Sequence, residues 1–156
     1  MILSIVTDPN QILRKKSAII SSDEINSDNI QALIFDMAET MDERDGVGLA
    51  APQVGQSVRL IVINAKNGPI PMISPAIIKK SWTKEQDTEG CLSLPGVYGN
   101  VKRHKKITCQ YLDKDGNKKK LIAEGLMARV IQHEIDHLDG ILFIDKAKKI
   151  EEYEIL

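Results

Sequence analysis

The chain has 156 residues, 42% of them apolar and 28% charged, with 21 basic against 22 acidic side chains. That length and composition suit one domain spanning 1–156 with a proper core, and they exclude a disordered or low-complexity chain. The near-even charge balance leaves no nucleic-acid footprint, so no specific DNA partner is expected.

No run approaches the ~20 apolar residues that a membrane helix needs. The start, MILSIVTDPNQ, lacks the charged head, apolar stretch and cleavage site of a signal peptide. Cys91 and Cys109 read as free thiols of a reducing compartment, so a cytoplasmic location without membrane contact is expected.

In chain order, the first periodic segment runs from Ser27 to about Glu43. Ile30, Leu33, Ile34, Met37 and Met41 follow helical spacing behind a Ser27 or Asp28 cap. Val58 to Asn64 and Met72 to Ile78 are apolar runs of strand length. Ile107, Cys109 and Tyr111 alternate with polar residues up to a DKDGN turn, and Asn117 to Ala123 returns as the hairpin partner. A second helix is expected from about Ala123 to Asp139, stopped by Gly140. A short charged tail, 144–156, ends the chain. The order predicts an α+β fold in which an N-terminal helix and mainly antiparallel sheets pack around a central helix.

That helix carries QHEIDHLDG, with His133, Glu134 and His137 spaced H-E-x-x-H. On a helical wheel His137 lies about 40° from His133, and both border an apolar arc filled by Leu126, Met127, Val130, Ile131, Ile135 and Leu138. Arg129, Gln132 and Asp136 lie on the opposite side. Two of the chain's three histidines can therefore point at one ion. Glu134 falls inside the apolar arc, where burial tunes a carboxylate toward neutral pH, as a general base requires.

Catalytic zinc usually takes a third protein ligand. A downstream third histidine is excluded, because Phe143 stands where it would be, and the tail offers only Glu151, Glu152 and Glu154. Cys109 reads as a buried apolar residue of a strand and His104, in KRHKK, as a surface residue. Cys91, in EGCLSLPG on a segment read as irregular, is the remaining soft ligand. A Cys-His-His set leaves Fe(II) and Zn(II) both plausible occupants.

Three stretches, GVGLAAPQ (46–53), EGCLS (89–93) and QHEIDHLDG (132–140), resemble the three motifs of the peptide deformylases in that family's order. The resemblance covers roughly Asp8 to Phe143. It implies a hydrolase that removes the formyl group from the N-terminal formyl-methionine of nascent peptides. Cys91, His133 and His137 would hold one divalent metal, Fe(II) in the cell, with Zn(II) or Ni(II) as alternatives. Glu134 would be the acid/base, and Gln53 and the Leu92 N–H the oxyanion donors. Val47, Gly48 and Gly90 would line the peptide groove by close backbone approach, and Val47, Leu126 and Val130 the methionine pocket.

Tyr98 stands about where many members carry an arginine. A metal endopeptidase and a non-catalytic binding module are the competing classes. The basic KRHKK and NKKK stretches could make a transient ribosome contact, against the plainer reading of a solvated hairpin face.

Overall fold

A computed structural model of the chain describes residues 1–155. After a 3-10 turn at Gln11–Arg14 come a single-turn helix α1 (Ser22–Ile25) and the longer α2 (Asp28–Glu43). The strands follow as β1 (Gly48–Ala50), β2 (Leu60–Ala65), β3 (Gly68–Lys80), β4 (Lys84–Cys91), β5 (Leu94–His104), β6 (Lys106–Leu112) and β7 (Lys118–Glu124). Helix α3 (Gly125–Leu138) and strand β8 (Lys148–Glu152) complete the order. Among the described residues the strands form two antiparallel sheets, β1-β2-β3-β6-β7 and β4-β5-β8. The expected α+β architecture, with antiparallel sheets around a central helix, is what the chain adopts.

The apolar run in β2 is continuous because both faces of its sheet are covered. Leu60 and Val62 pack toward α2 with Ile34, Met37 and Met41, whereas Ile61 and Ile63 pack toward α3 with Val130, Ile131 and Ile135. The Ser27 hydroxyl caps α2 by accepting from the Ile30 N–H. The expected DKDGN turn joins β6 to β7, with Gly116 N–H donating to the Asp113 carbonyl.

Helix α3 ends as Gly140 turns to φ +73°, where a Cβ would also stand 2.5 Å from the Arg14 carbonyl oxygen. A third cluster, Leu13, Leu94, Val101, Leu142 and Phe143, fills the space under the smaller sheet.

Three expectations need correction. Cys91 does not lie on an irregular segment: it is the last residue of β4, at a register shift where Gly90 pairs Tyr98 but Cys91 pairs Leu94. The charged tail is not featureless, since Lys148–Glu152 adds β8 to the edge of β5. KRHKK is not a solvated stretch throughout, because Arg103 is 4% exposed and His104 is partly buried. His104 contacts the Ser81 carbonyl through Nδ1, and its backbone pairs with Gln132.

Candidate active site and metal centre

The two sheets meet the central helix at a cavity of about 400 Å³. The terminal strands β1 and β4 both face it, each with one edge paired and the other turned to the cavity. Helix α3 forms the floor. Val130 and Glu134 are buried there, while Val47 and Leu126, 52% and 65% exposed, stand on the rim.

Cys91, His133 and His137 come together as the residue spacing suggested. Their ligand atoms lie within 4.8 Å of one another, and Cys91 Sγ is 3.3 Å from His137 Nε2. Phe143, which occupies the position of an excluded third histidine, stacks on the His133 ring at a centroid distance of 6.1 Å.

The surroundings split the two imidazoles. His133 Nδ1 donates to Glu89 Oε1 at 2.8 Å, which fixes its tautomer and leaves Nε2 for the cluster. Burial works against a charged His133, but hydrogen bonds with Cys91 and Glu89 push it up to about 10. Burial drives His137 well below the ordinary histidine value, and the charges of His133 and Arg103 add to that. The two rings are thus held differently, His133 as the one that favours a proton and His137 as the one that does not. One sulfur and two imidazole donors within 4.8 Å of one another are a donor set that fits a divalent metal.

Glu134 is the third element. Its Oε2 is sealed from solvent and has no hydrogen-bond partner. Burial raises its pKa to about 7, against a partial pull downward from His133. Space for this carboxylate comes from Gly48, where a Cβ would lie 2.8 Å from Glu134 Oε1 and 2.7 Å from a Val130 methyl.

Gln53 is oriented by its own backbone neighbourhood. Pro52 opens a single 3-10 turn, Ala51–Val54, and Gln53 Oε1 accepts from the Ala50 N–H at 2.9 Å. The Nε2 side of the amide is thereby turned to Cys91 Sγ and Ser93 Oγ, each at 3.3 Å. Leu92, in the turn after Cys91, also lines the cavity.

At Gly90 the missing side chain is replaced by a ring of the chain itself, since a Cβ there would sit 2.8 Å from Tyr98 Cε1. The glycine makes room for Tyr98 before it makes room for any substrate.

Residues 2–153 match the family model described as polypeptide deformylase. The chain belongs to the polypeptide deformylase family. Deformylases of this family are hydrolases that deformylate N-terminal formyl-methionine, and the chain is an enzyme of that class. The peptide deformylase of Caldanaerobacter subterraneus subsp. tengcongensis is 47% identical over 151 residues, covering 97% of this chain and 91% of the relative.

Among solved structures, the peptide deformylase of Thermotoga maritima superposes with a TM-score of 0.90 at 38% identity, over 95% of this chain and 99% of its own. A class I type b peptide deformylase from Acinetobacter baumannii, with Met-Ala-Ser bound, gives 0.88 at 35%, over 94% and 98%.

Reading the sequence alone missed the charged network behind this cluster. Glu89 accepts both Arg103 Nε and Nη2 at 2.9 Å and Arg129 Nη1 at 2.6 Å. Arg103 also reaches Asp136 at 2.5 Å, and Arg129 holds the carbonyls of Val101 and Glu85 at 2.8 Å. The side of α3 that the wheel set opposite the apolar arc, Arg129, Gln132 and Asp136, is covered by the smaller sheet instead of by water. A signal for Glu89 was present. It stands two residues before Cys91, and on a strand that spacing puts both side chains on one face. Burial pushes the Glu89 carboxyl up, but hydrogen bonds from Arg103 and His133 outweigh it and hold the group well below the carboxylate range.

Proposed function

We propose that this enzyme frees nascent peptides of their N-terminal formyl group, with Cys91, His133 and His137 holding one divalent metal and Glu134 carrying the proton. The observation that supports this is the unpartnered Glu134 Oε2 sealed beside the three-donor cluster. A buried carboxylate is not left without a donor unless water or substrate supplies one.

A divalent cation at the cluster would lower the pKa of a water bound to it and polarise the formyl carbonyl. The thiolate and two imidazoles suit Fe(II) as the cellular occupant, with Zn(II) or Ni(II) as substitutes.

Glu134, poised at about 7, takes a proton from the attacking water and returns it to the leaving amine. Charge developing on the carbonyl oxygen meets the Gln53 amide, already turned toward Cys91, and the Leu92 N–H. The peptide lies as an added strand between the edges of β1 at Gly48 and β4 at Gly90, with methionine toward Val130, Leu126 and Val47. Met-Ala-Ser, held by the Acinetobacter baumannii relative, is the deformylated form of such a substrate. Any transient ribosome contact falls to Lys102, Lys105, Lys106 and Lys118–Lys120, because Arg103 is withdrawn into the buried network.

The test is turnover of formyl-Met-Ala-Ser against acetyl-Met-Ala-Ser by anaerobically prepared protein, with metal analysis of the same sample. Glu134→Gln is expected to keep the metal and lose about 10²–10⁴ in rate. Wild-type rates in that variant, or equal use of the acetyl peptide, would refute the assignment.

A further inference from the structure

Tyr98 is an exposed aromatic at the cavity with no part in the chemistry. It sits on β5 directly opposite Gly90, and its ring crosses the bare Cα of Gly90 to line the cavity, remaining 45% exposed. The C-terminal strand holds it there. Tyr98 pairs with Glu151 of β8, Tyr153 N–H donates to the Gly96 carbonyl at 2.8 Å, and the Tyr153 ring meets Tyr98 edge to face at 5.9 Å. The Tyr153 hydroxyl is tied in turn to Glu151 at 2.6 Å.

The face on which this pair lies decides what it meets. Successive strand side chains point to opposite faces. Cys91 and Glu89 face the His pair, so Gly90 and the ring over it lie on the outer face of β4. A peptide added along that edge with its methionine turned inward presents its second side chain outward, on the Tyr98 side.

We propose that Tyr98, braced by Tyr153 of the C-terminal strand, is the surface that selects the residue after methionine, and that it favours an aromatic side chain there. The inference rests on the deformylase reading of the cavity. A second ring can pack on the exposed part of the Tyr98 ring, and aromatic pairs gain free energy beyond their buried area. The charged tail thereby acquires a role as a brace for the substrate groove.

The test compares kcat and KM for formyl-Met-Phe-Ser, formyl-Met-Ala-Ser and formyl-Met-Asp-Ser. Wild type is expected to favour Phe over Ala and Asp by about three- to tenfold, expressed in KM and not in kcat. Tyr98→Phe keeps that ratio and Tyr98→Ala brings it near one. Tyr153→Ala, at an exposed position that does not threaten folding, lowers it part of the way. A wild-type ratio near one, or an undiminished ratio in Tyr98→Ala, overturns the proposal, and a ratio untouched by Tyr153→Ala overturns the bracing role. If the metal-loaded wild type turns over none of the three peptides, the deformylase reading itself fails and takes this one with it.

Discussion

The two flanks of α3 are both buried, yet they are buried in opposite ways. Toward the larger sheet, Ala128, Val130, Ile131, Ile135 and Leu138 meet Ile61, Ile63, Met72, Ile107 and Cys109 in an apolar seam. Toward the smaller sheet, Arg129, Gln132, His133 and Asp136 meet β4 and β5 through ion pairs and hydrogen bonds. Apolar burial is non-directional and supplies stability in proportion to area. The polar seam is directional, because each charge must find its partner or suffer the full cost of desolvation. One flank therefore anchors the helix and the other aims it. His133, one of the three donors proposed for the metal, belongs to the aimed side, where Glu89 fixes its ring and two arginines fix Glu89.

The largest effect is expected from breaking the polar seam. Glu89→Gln leaves Arg103 and Arg129 facing each other without their shared carboxylate. A buried pair that loses one partner costs about 3–5 kcal/mol. Since His133 also loses its charged partner, metal affinity should fall about 10–100-fold. Denaturant unfolding and metal titration of the same preparation check both numbers, and a stable variant with wild-type affinity would show that the seam aims nothing.

The apolar seam should respond differently. Ile131→Ala, at a fully buried position facing the larger sheet, is expected to cost about 2–5 kcal/mol through a cavity. Metal affinity of the folded variant should stay near wild type, and a drop like that of Glu89→Gln would erase the distinction between the flanks.

How much of this was legible in the sequence follows the same division. The apolar seam and α2 were readable because burial leaves a period: 3.6 in the helices, and an unbroken run in β2 where both faces are covered. The Cys-His-His cluster and Glu134 were readable from motif spacing. Strand β4, KEQDTEGC, was not, because Glu89 is its only buried residue and no alternation of apolar side chains marks it. Strand β8 is exposed throughout, so KKIEE reads as a tail. Arg129, Gln132 and Asp136 read as a polar flank, and that reading of polarity was right. What the wheel could not show is that a second sheet of matching polarity covers them.

A smaller effect comes from acid in the metal-free protein. Glu89 has a folded pKa below its unfolded value, so its contribution to stability is complete above the ordinary carboxylate range and is lost as pH falls through the folded value. Wild type should therefore lose stability on acidification below that range more steeply than Glu89→Gln, which has no carboxyl to protonate there. Parallel slopes for the two proteins in denaturant unfolding at stepped pH would contradict the assignment of this charge to the fold.

The smallest effect is expected where the same ion-pair chemistry is left in water. Lys106 Nζ and Glu124 Oε1 lie 2.6 Å apart, as close as Arg129 and Glu89, but their side chains are 55% and 66% exposed. Solvent screens the attraction, and two flexible side chains lose entropy in holding one geometry, so such a pair contributes about 0.2–1 kcal/mol. A double-mutant cycle of Lys106→Ala and Glu124→Ala should return a coupling in that range, shrinking further in salt. A coupling comparable to that of the Glu89 seam would mean that charge pairing alone, and not its burial against α3, accounts for the strength of the polar flank.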